Sequence, residues 1–85
     1  MKTVTLYTRA LCPYCMRAVA FLEEKNIPFD QIDAGMDAEM RREMLQRANG
    51  GTTYPQIFVG DYHIGGCDDL LALEYAGKFD VLVED

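Results

Sequence analysis

Residues 3–25 read TVTLYTRALCPYCMRAVAFLEEK, and this stretch decides the fold. Its first five residues alternate between polar and apolar and are rich in β-branched side chains, which is typical of a strand. Pro13 then stands where a first helical residue belongs, because a proline there loses no useful N–H. Apolar residues recur beyond it at helical spacing: Cys15, Ala18, Val19 and Leu22. The stretch therefore predicts a strand, a cysteine pair and a helix that runs to about Lys25.

The remaining residues predict a single α/β domain over residues 1–85, with no linker and no internal repeat. Strands are predicted at residues 3–7, 29–33, 56–60 and 62–64, the last two forming a hairpin that turns at Gly60-Asp61. Helices are predicted from Pro13 to about Lys25, from an Asp37 cap to Ala48, and from an Asp68 or Asp69 cap to Gly77. Residues 79–83 add a short turn packed on the sheet. The order β-α-β-α-β-β-α implies a four-stranded mixed sheet with helices on its faces.

Length and composition narrow the class of protein. The chain has 85 residues, 49% of them hydrophobic and 26% charged, which excludes collagen, coiled coil and intrinsic disorder. Its longest apolar run, residues 18–22, has five residues and is far too short for a membrane span, which needs about 18. The first ten residues lack the apolar core of a signal peptide. We therefore expect a cytoplasmic protein with no membrane partner.

The charge of the chain argues against nucleic-acid binding. Eight Lys and Arg residues stand against fourteen Asp and Glu, so the net charge is −6. Such a surface repels a phosphate backbone. The basic residues are unevenly placed, because Arg9 and Arg17 flank the cysteine pair while Arg41, Arg42 and Arg47 share one segment.

Cysteine usage points to redox or metal chemistry. The chain has three cysteines, and two of them form Cys12-Pro13-Tyr14-Cys15. With Cys12 at the helix N-cap, free backbone N–H groups, the helix dipole and the nearby arginines favour a thiolate. We expect the pKa of Cys12 to lie below the free thiol value of about 8.5. Cys15, one turn further on, can close a ring and expel a mixed-disulfide partner, while Tyr14 presents an exposed ring beside the site.

Two other interpretations of the cysteines remain open at this stage. Cys15 could be a buried structural cysteine with an incidental Cys12. Alternatively, Cys12, Cys15, His63 and Cys67 could supply four soft ligands to a metal, since the spacing of His63 and Cys67 is a plausible one. Against the metal site, Cys67 follows a Gly-Gly break and His63 lies in a strand. We therefore predict no metal.

Three motifs in order resemble one family. CPYC follows the first strand, Thr53-Tyr54-Pro55 precedes the third, and residues 65–69, GGCDD, enter the last helix. From residue 3 to about residue 77 the chain resembles the glutaredoxins, in particular the short bacterial dithiol class with CPYC. The resemblance implies a thioredoxin-like three-layer sandwich and a glutathione-dependent thiol–disulfide oxidoreductase. It further implies a monomer with no tightly bound cofactor, for which glutathione is a co-substrate.

The resemblance also implies roles for individual residues. Cys12 matches the nucleophile and Cys15 the resolving cysteine, and Pro55 matches a cis-proline whose preceding residue pairs through its backbone with the cysteinyl part of glutathione. Other matches are Arg9 and Arg42 to the glycyl carboxylate, and Cys67 and Asp68 to the γ-glutamyl end. The implied glutathione contacts are Arg9, Tyr14, Arg42, Thr53, Tyr54, Pro55, Gly66, Cys67 and Asp68. Partners would be disulfide-containing or glutathionylated proteins, with ribonucleotide reductase among the candidates.

The sequence departs from the family pattern in two places, since Tyr54 replaces a valine and Arg9 replaces a lysine. A rival enzyme class is a redoxin of similar fold that thioredoxin reductase reduces, although such redoxins lack the charged set at Arg9, Arg42 and Asp68. Several residues have plainer interpretations. Met16, Met36, Met40 and Met44 are expected to fill the core, His63 to lie on a strand surface, Cys67 to be inert, and Tyr7 either to pack under the site or to line it.

Overall fold

Four strands and four helices form along residues 1–84, the part of the chain that the computed structural model describes. The strands are β1 (Val4–Thr8), β2 (Phe29–Asp33), β3 (Gln56–Val59) and β4 (Tyr62–Gly65). The helices are α1 (Pro13–Glu24), α2 (Ala38–Arg47), α3 (Cys67–Tyr75) and α4 (Phe79–Val83). The predicted order is confirmed, and residues 79–83, expected as a turn, form a short helix.

The sheet is mixed, with strand order β2-β1-β3-β4. β1 pairs with β2 in parallel, so α1 is the crossover between them. β3 runs antiparallel to β1 and to β4, with a bulge between Ile57 and Phe58. This order places the carboxyl end of β1, which leads to the cysteines, beside the amino end of β3, which follows Pro55.

The ends of α1 and α2 follow the expected local chemistry. Cys12 is the N-cap of α1 and has extended backbone angles, while Pro13 is the first helical residue. Asp37 caps α2, because its Oδ1 accepts hydrogen bonds from the N–H groups of Glu39 at 3.0 Å and Met40 at 3.1 Å.

The start of α3 differs from the prediction. Its N-cap is Gly66, and the helix begins at Cys67, so neither Asp68 nor Asp69 is the capping residue. Asp69 instead reaches back from the first turn, and its Oδ2 accepts a hydrogen bond of 2.9 Å from the N–H of Gly66. Gly65 makes this turn possible: its φ is +118°, and a Cβ there would collide with the Asp69 carboxylate. A Cβ on Gly66 would lie 3.7 Å from the Pro55 carbonyl oxygen, which is an ordinary van der Waals contact. The packing of the protein therefore requires glycine at position 65 but not at position 66.

Each face of the sheet buries its own cluster. The α1/α3 cluster lies under helices α1, α3 and α4 and comprises Val4, Leu6, Ala18, Leu22, Ile27, Ile57, Val59, Cys67, Leu70, Phe79 and Val83. The α2 cluster lies under helix α2 and comprises Tyr7, Ala34, Met44, Ala48 and Phe58. The alternation along β1 and β3 sends successive side chains to opposite clusters. Helices α1, α3 and α4 form one layer, the sheet forms the second and helix α2 forms the third. The predicted thioredoxin-like fold class is therefore confirmed.

The methionine prediction holds only in part. Met44 is fully buried and Met40 packs against the α2 cluster. Met16 and Met36 are exposed, at 68% and 92%, because both lie outside the faces that pack on the sheet.

Within residues 1–84, no helix is long and apolar enough to cross a membrane.

Candidate active site

The cysteine pair sits at the junction between β1 and α1. Cys12 and Cys15 form a disulfide, with their Cα atoms 5.2 Å apart. The N–H of Cys15 points at the Cys12 sulfur, 3.2 Å away, as expected for an N-cap side chain at a helix start. Both side chains are only 3% exposed. The oxidised pair is therefore largely shielded from solvent, and the loop carrying Tyr54 and Pro55 packs over it.

That loop brings backbone to the reactive sulfur. The Tyr54–Pro55 peptide bond is cis, as the resemblance implied. The Tyr54 carbonyl oxygen lies 3.8 Å from the Cys12 Sγ. The Tyr54 hydroxyl donates a 3.0 Å hydrogen bond to the Ala34 carbonyl and so holds the side chain against the end of β2. A substrate sulfur joined to Cys12 in a mixed disulfide would therefore lie close to the Tyr54 backbone.

An acidic groove lies on one side of Tyr54. It encloses about 240 Å³ and is lined by Tyr14, Thr53, Tyr54, Gly66, Cys67, Asp68 and Asp69. Asp68 is exposed at the start of α3, whereas the Asp69 carboxylate is engaged with the N–H of Gly66. Tyr14 is exposed, as expected. The groove joins carboxylates to a helix N-terminus, so it can receive both an ammonium and a carboxylate.

An arginine groove lies on the other side of Tyr54. It encloses about 400 Å³ and is lined by Arg9, Gly35, Arg41, Met44, Leu45, Thr52 and Tyr54. The Arg9 guanidinium lies over the Tyr54 ring, 5.5 Å from its centroid. The resemblance implies Arg42 as a glutathione contact, and that role stays a prediction, while the residue of α2 that lines this groove is Arg41. Adjacent helical residues point about 100° apart, so Arg41 and Arg42 leave α2 in different directions.

A third depression, the cysteine groove, runs beside the sulfurs. It encloses about 290 Å³ and is lined by Arg9, Leu11, Cys12, Cys15, Met16, Val19, Ala20, Glu23 and Gln31. Leu11 is 95% exposed and has a left-handed backbone with φ of +56°. Leu11 and Met16 thus offer apolar surface next to the disulfide, although Met16 was expected to fill the core.

Tyr7 packs between the sheet and helix α2 and does not line any of the three grooves. Of its two predicted positions, packed under the site or lining it, the first is the one observed. It is fully buried in the α2 cluster. Its hydroxyl donates to Glu43 Oε2 at 2.5 Å and accepts from Arg47 Nη1 at 2.8 Å. Burial raises the pKa of Tyr7 above its usual value of 10.0, and the hydrogen bond to Glu43 is the second cause of this increase. Arg47 also lies 4.2 Å from the centre of the Phe58 ring.

Cys67 and His63 do not join the cysteine pair in a metal site. Burial raises the pKa of the Cys67 thiol above 9.0, with a smaller opposing effect from Arg17. His63 is half-buried rather than on the strand surface, since its Nε2 lies 2.6 Å from the Gln56 Oε1 and its ring stacks on Phe58. No three His, Cys, Asp or Glu side chains among residues 1–84 are grouped closely enough to hold a metal ion. The four-ligand alternative is therefore not assembled.

The acidic and arginine grooves share Tyr54, whose carbonyl oxygen approaches the Cys12 sulfur, and the arginine and cysteine grooves share Arg9. This arrangement can bind a small molecule that carries charges of both signs and a disulfide sulfur between them. Arg41, Leu11 and Met16 were missed because no local signal distinguishes them from other exposed residues. The cysteine pair and the cis-proline were predicted from their motifs, and Gly66, Cys67 and Asp68, also predicted from a motif, line the acidic groove.

Comparisons with known proteins find similarity to one family, in sequence and in overall structure. The glutaredoxin family model matches residues 4–64. The chain is 49% identical over 83 residues to the glutaredoxin of Pseudomonas aeruginosa, covering 98% of each chain. It is 46% identical over 84 residues to glutaredoxin 3 of Escherichia coli, covering 99% of this chain and all of that one. The solution structure of glutaredoxin from Brucella melitensis superimposes with a TM-score of 0.83 at 52% identity, covering 98% of this chain and 89% of that one.

Proposed function

This chain belongs to the glutaredoxin family, a family of thiol–disulfide oxidoreductases, and we propose that it uses glutathione both as reductant and as the recognised part of its substrate. The substrates would be proteins that carry a glutathionyl group or an intramolecular disulfide. The observation that carries the proposal is the 3.8 Å approach of the Tyr54 carbonyl to the Cys12 sulfur, with grooves of opposite charge on either side of Tyr54.

Glutathione fits the charges of the two grooves. Its γ-glutamyl end carries an ammonium and a carboxylate, which suit Asp68 and the N-terminal N–H groups of α3 in the acidic groove. Its glycyl carboxylate suits the guanidinium groups of Arg9 and Arg41 in the arginine groove. The cysteinyl sulfur between these ends would then reach Cys12. Glutathione enters as a co-substrate, with no tightly bound cofactor.

In the monothiol route, the Cys12 thiolate attacks the glutathionyl sulfur of a protein mixed disulfide. A Cys12–glutathione disulfide forms, and the protein leaves as a thiolate that takes a proton from water. A second glutathione thiolate then attacks the glutathionyl sulfur and releases oxidised glutathione and the Cys12 thiolate. The helix N-terminus and the N–H of Cys15 stabilise that thiolate as nucleophile and as leaving group.

In the dithiol route, Cys12 attacks a protein disulfide and forms a mixed disulfide with the protein. The Cys15 thiolate attacks the Cys12 sulfur, expels the second protein thiol and leaves the Cys12–Cys15 disulfide. Two glutathiones reduce this disulfide and become oxidised glutathione. Leu11 and Met16, exposed beside the sulfurs, offer the protein substrate an apolar contact.

The proposal is tested by turnover of a small glutathione mixed disulfide, with electrons from glutathione and glutathione reductase. A parallel reaction replaces them with thioredoxin reductase, the donor of the rival redoxin class. We expect fast turnover with the first donor and none with the second. The reverse result would contradict glutathione recognition while leaving the fold and the disulfide chemistry intact.

Cys15→Ser separates the two routes. The variant is expected to keep deglutathionylation and to lose reduction of intramolecular protein disulfides, because only the second needs a resolving thiol. Cys67→Ser replaces an equally buried cysteine that lies outside the disulfide but lines the acidic groove, so it should leave the ratio of the two activities unchanged. Equal loss of both activities in Cys15→Ser would show that the resolving role is wrongly assigned.

We further propose that the protein works as a monomer in the cytoplasm, with ribonucleotide reductase among its candidate electron acceptors and no nucleic-acid or membrane partner. The net charge of −6 supports the absence of nucleic-acid binding. Light scattering after size-exclusion chromatography tests the monomer, and cell fractionation tests the compartment. A stable dimer or a membrane-bound fraction would contradict these points.

A further inference from the structure

Gln56 is a buried polar residue that the proposed mechanism does not use. It is the first residue of β3 and directly follows the cis-proline, and it is only 4% exposed. A buried amide is costly unless its donor and acceptor atoms are bonded. Here both the nitrogen and the oxygen of the amide have hydrogen-bond partners.

The nitrogen of this amide holds the loop that faces Cys12. Nε2 donates to the Thr53 carbonyl at 2.9 Å and to the Thr53 Oγ1 at 3.1 Å. Thr53 lines the acidic groove, and the next residue, Tyr54, places its carbonyl by the Cys12 sulfur. Gly51 lets the same loop pass closely over the amide, since a Cβ there would lie 3.0 Å from the Gln56 Nε2.

The oxygen of the amide is held from the opposite side by His63. The Gln56 Oε1 can only accept a hydrogen bond, so His63 must be the donor through Nε2–H in their 2.6 Å contact. The imidazole is kept in place by stacking on Phe58, with ring centroids 4.8 Å apart and planes 24° apart. Phe58 is in turn fully buried in the α2 cluster. His63 therefore fixes which way the amide faces.

We propose that Gln56 and His63 form a positioning pair that orients the Thr53–Tyr54 segment for the glutathionyl part of the substrate. The pair touches neither the sulfurs nor the grooves, and it acts through Thr53. This inference rests on the proposed function, because it assigns the supporting residues of the same binding site. It predicts an effect on recognition and none on the intrinsic reactivity of Cys12.

The test compares Gln56→Met, which keeps the length and volume of the side chain, with Val59→Ala on the same strand. Val59 is buried at the far end of β3 and lies outside the three grooves. Both variants lose stability. Only Gln56→Met is expected to raise KM for a glutathione mixed disulfide, by about five- to tenfold from the loss of the Thr53 hydrogen bonds, with kcat changed by less than about twofold.

His63→Ala and His63→Gln test the second member of the pair. The alanine variant removes the donor to Gln56 and is expected to raise KM by about threefold. The glutamine variant retains an N–H donor and is expected to restore most of the wild-type KM. Reaction of the reduced proteins with a small aromatic disulfide that has no glutathionyl group should proceed at the wild-type rate in all variants.

The inference is overturned if Gln56→Met leaves KM unchanged, or if Val59→Ala raises it equally. A wild-type protein that does not turn over the glutathione mixed disulfide would instead contradict the proposed function. In that case the backbone amide NMR signals still decide the positioning role. Gln56→Met should shift or broaden the Thr53 and Tyr54 signals while Val59→Ala leaves them in place, and the opposite pattern would reject the pair.

Discussion

The two faces of the sheet bury different kinds of side chain. Among residues 1–84, the α1/α3 cluster has eleven buried residues, all of them hydrophobic, drawn from three helices, the sheet and the loop between α1 and β2. The α2 cluster has five, and its centre is Tyr7, whose hydroxyl is bonded to Glu43 and Arg47. The site is assembled from both faces: Cys12, Cys15 and Cys67 come from the first, while Arg41 and the Thr53–Tyr54 loop border the second.

The difference assigns separate tasks to the two faces. The α1/α3 cluster holds α1, and with it the two sulfurs, through burial of apolar surface. This stabilising effect does not depend on the relative orientation of the buried groups. The α2 cluster holds the arginine groove and the Thr53–Tyr54 loop through hydrogen bonds and ring contacts, which depend on the orientation of the groups. Changes to the α1/α3 face, which also carries the acidic groove at the start of α3, should therefore mainly reduce stability or chemistry. Changes to the α2 face should shift recognition in the arginine groove and the loop at a smaller cost in stability.

The largest effect is expected from Cys12→Ser, which removes the chemistry and leaves the recognition elements in place. Turnover of a glutathione mixed disulfide should fall by at least about 10³-fold, because a hydroxyl cannot replace the nucleophilic thiolate. Binding of S-methylglutathione, followed by NMR, should persist. Substantial turnover by Cys12→Ser would show that the attacking sulfur is elsewhere.

The next largest effect is expected from substitutions that leave a cavity in one cluster or the other. Leu22→Ala leaves a cavity in the α1/α3 cluster, and Met44→Ala leaves one in the α2 cluster. Both side chains are fully buried. Leu22→Ala should lower the free energy of unfolding by about 4 kcal/mol and Met44→Ala by about 2–3 kcal/mol, because a site under a single helix relaxes more easily. Urea denaturation measures both. A larger loss in Met44→Ala would reverse the assignment of the main core.

A smaller effect is expected from Tyr7→Phe, which removes only the hydroxyl from the α2 cluster. The free energy of unfolding should fall by about 1–2 kcal/mol at pH 7, since Glu43 and Arg47 lose a common partner. Urea denaturation at pH 7 measures this loss, and an unchanged stability would show that the Glu43 and Arg47 bonds contribute nothing.

The same residue has a pH signature. The pKa of Tyr7 is raised above 10.0 in the folded protein, so the group binds its proton more tightly there than in the unfolded chain. Its contribution to stability is complete below pH 10 and is lost as the pH rises through the folded pKa. The stability of the wild type should therefore decline more steeply above pH 10 than that of Tyr7→Phe. Parallel curves would contradict the raised pKa.

The smallest effect is expected from Lys25→Met at the surface end of the α1/α3 face. The Lys25 ammonium pairs with Glu74 at 2.8 Å and Asp80 at 2.6 Å, and the hydrogen bond to Asp80 is the main cause of its raised pKa. Exposed ion pairs contribute little, so Tm should fall by less than about 4 °C, and less still in 1 M salt. A drop as large as that of Leu22→Ala would show that the face depends on charge.

The sequence predicted those parts of the fold that depend on local chemistry. The strand, the Cys12 cap, Pro13 and the apolar stripe of α1 lie within one short stretch, and each favours the same structure. Asp37 as the cap of α2 is equally local. The start of α3 was misplaced because the left-handed turn at Gly65 is set by the packing of β4 against the helix, and the aspartates alone resemble ordinary caps.

The site was predictable only where a motif carries it. The CPYC pair and the cis-proline belong to motifs, so they were found. Arg41 and Arg42 are neighbours of the same type, and only the tertiary structure shows that Arg41 lines the groove beside Tyr54. The hydrogen bonds of Gln56 to Thr53 and His63 join residues whose order along the chain gives no sign of the contact.

The central claim is that Cys12 accepts a glutathionyl group whose two ends lie in the acidic and arginine grooves. The most direct test incubates the Cys15→Ser variant with oxidised glutathione and examines the product by intact mass, peptide mapping and amide NMR. The account predicts one glutathionyl group, on Cys12, with shifts of the Arg9, Arg41, Tyr54 and Asp68 signals. A glutathionyl group on Cys67, or an adduct on Cys12 that leaves both grooves unperturbed, would contradict it.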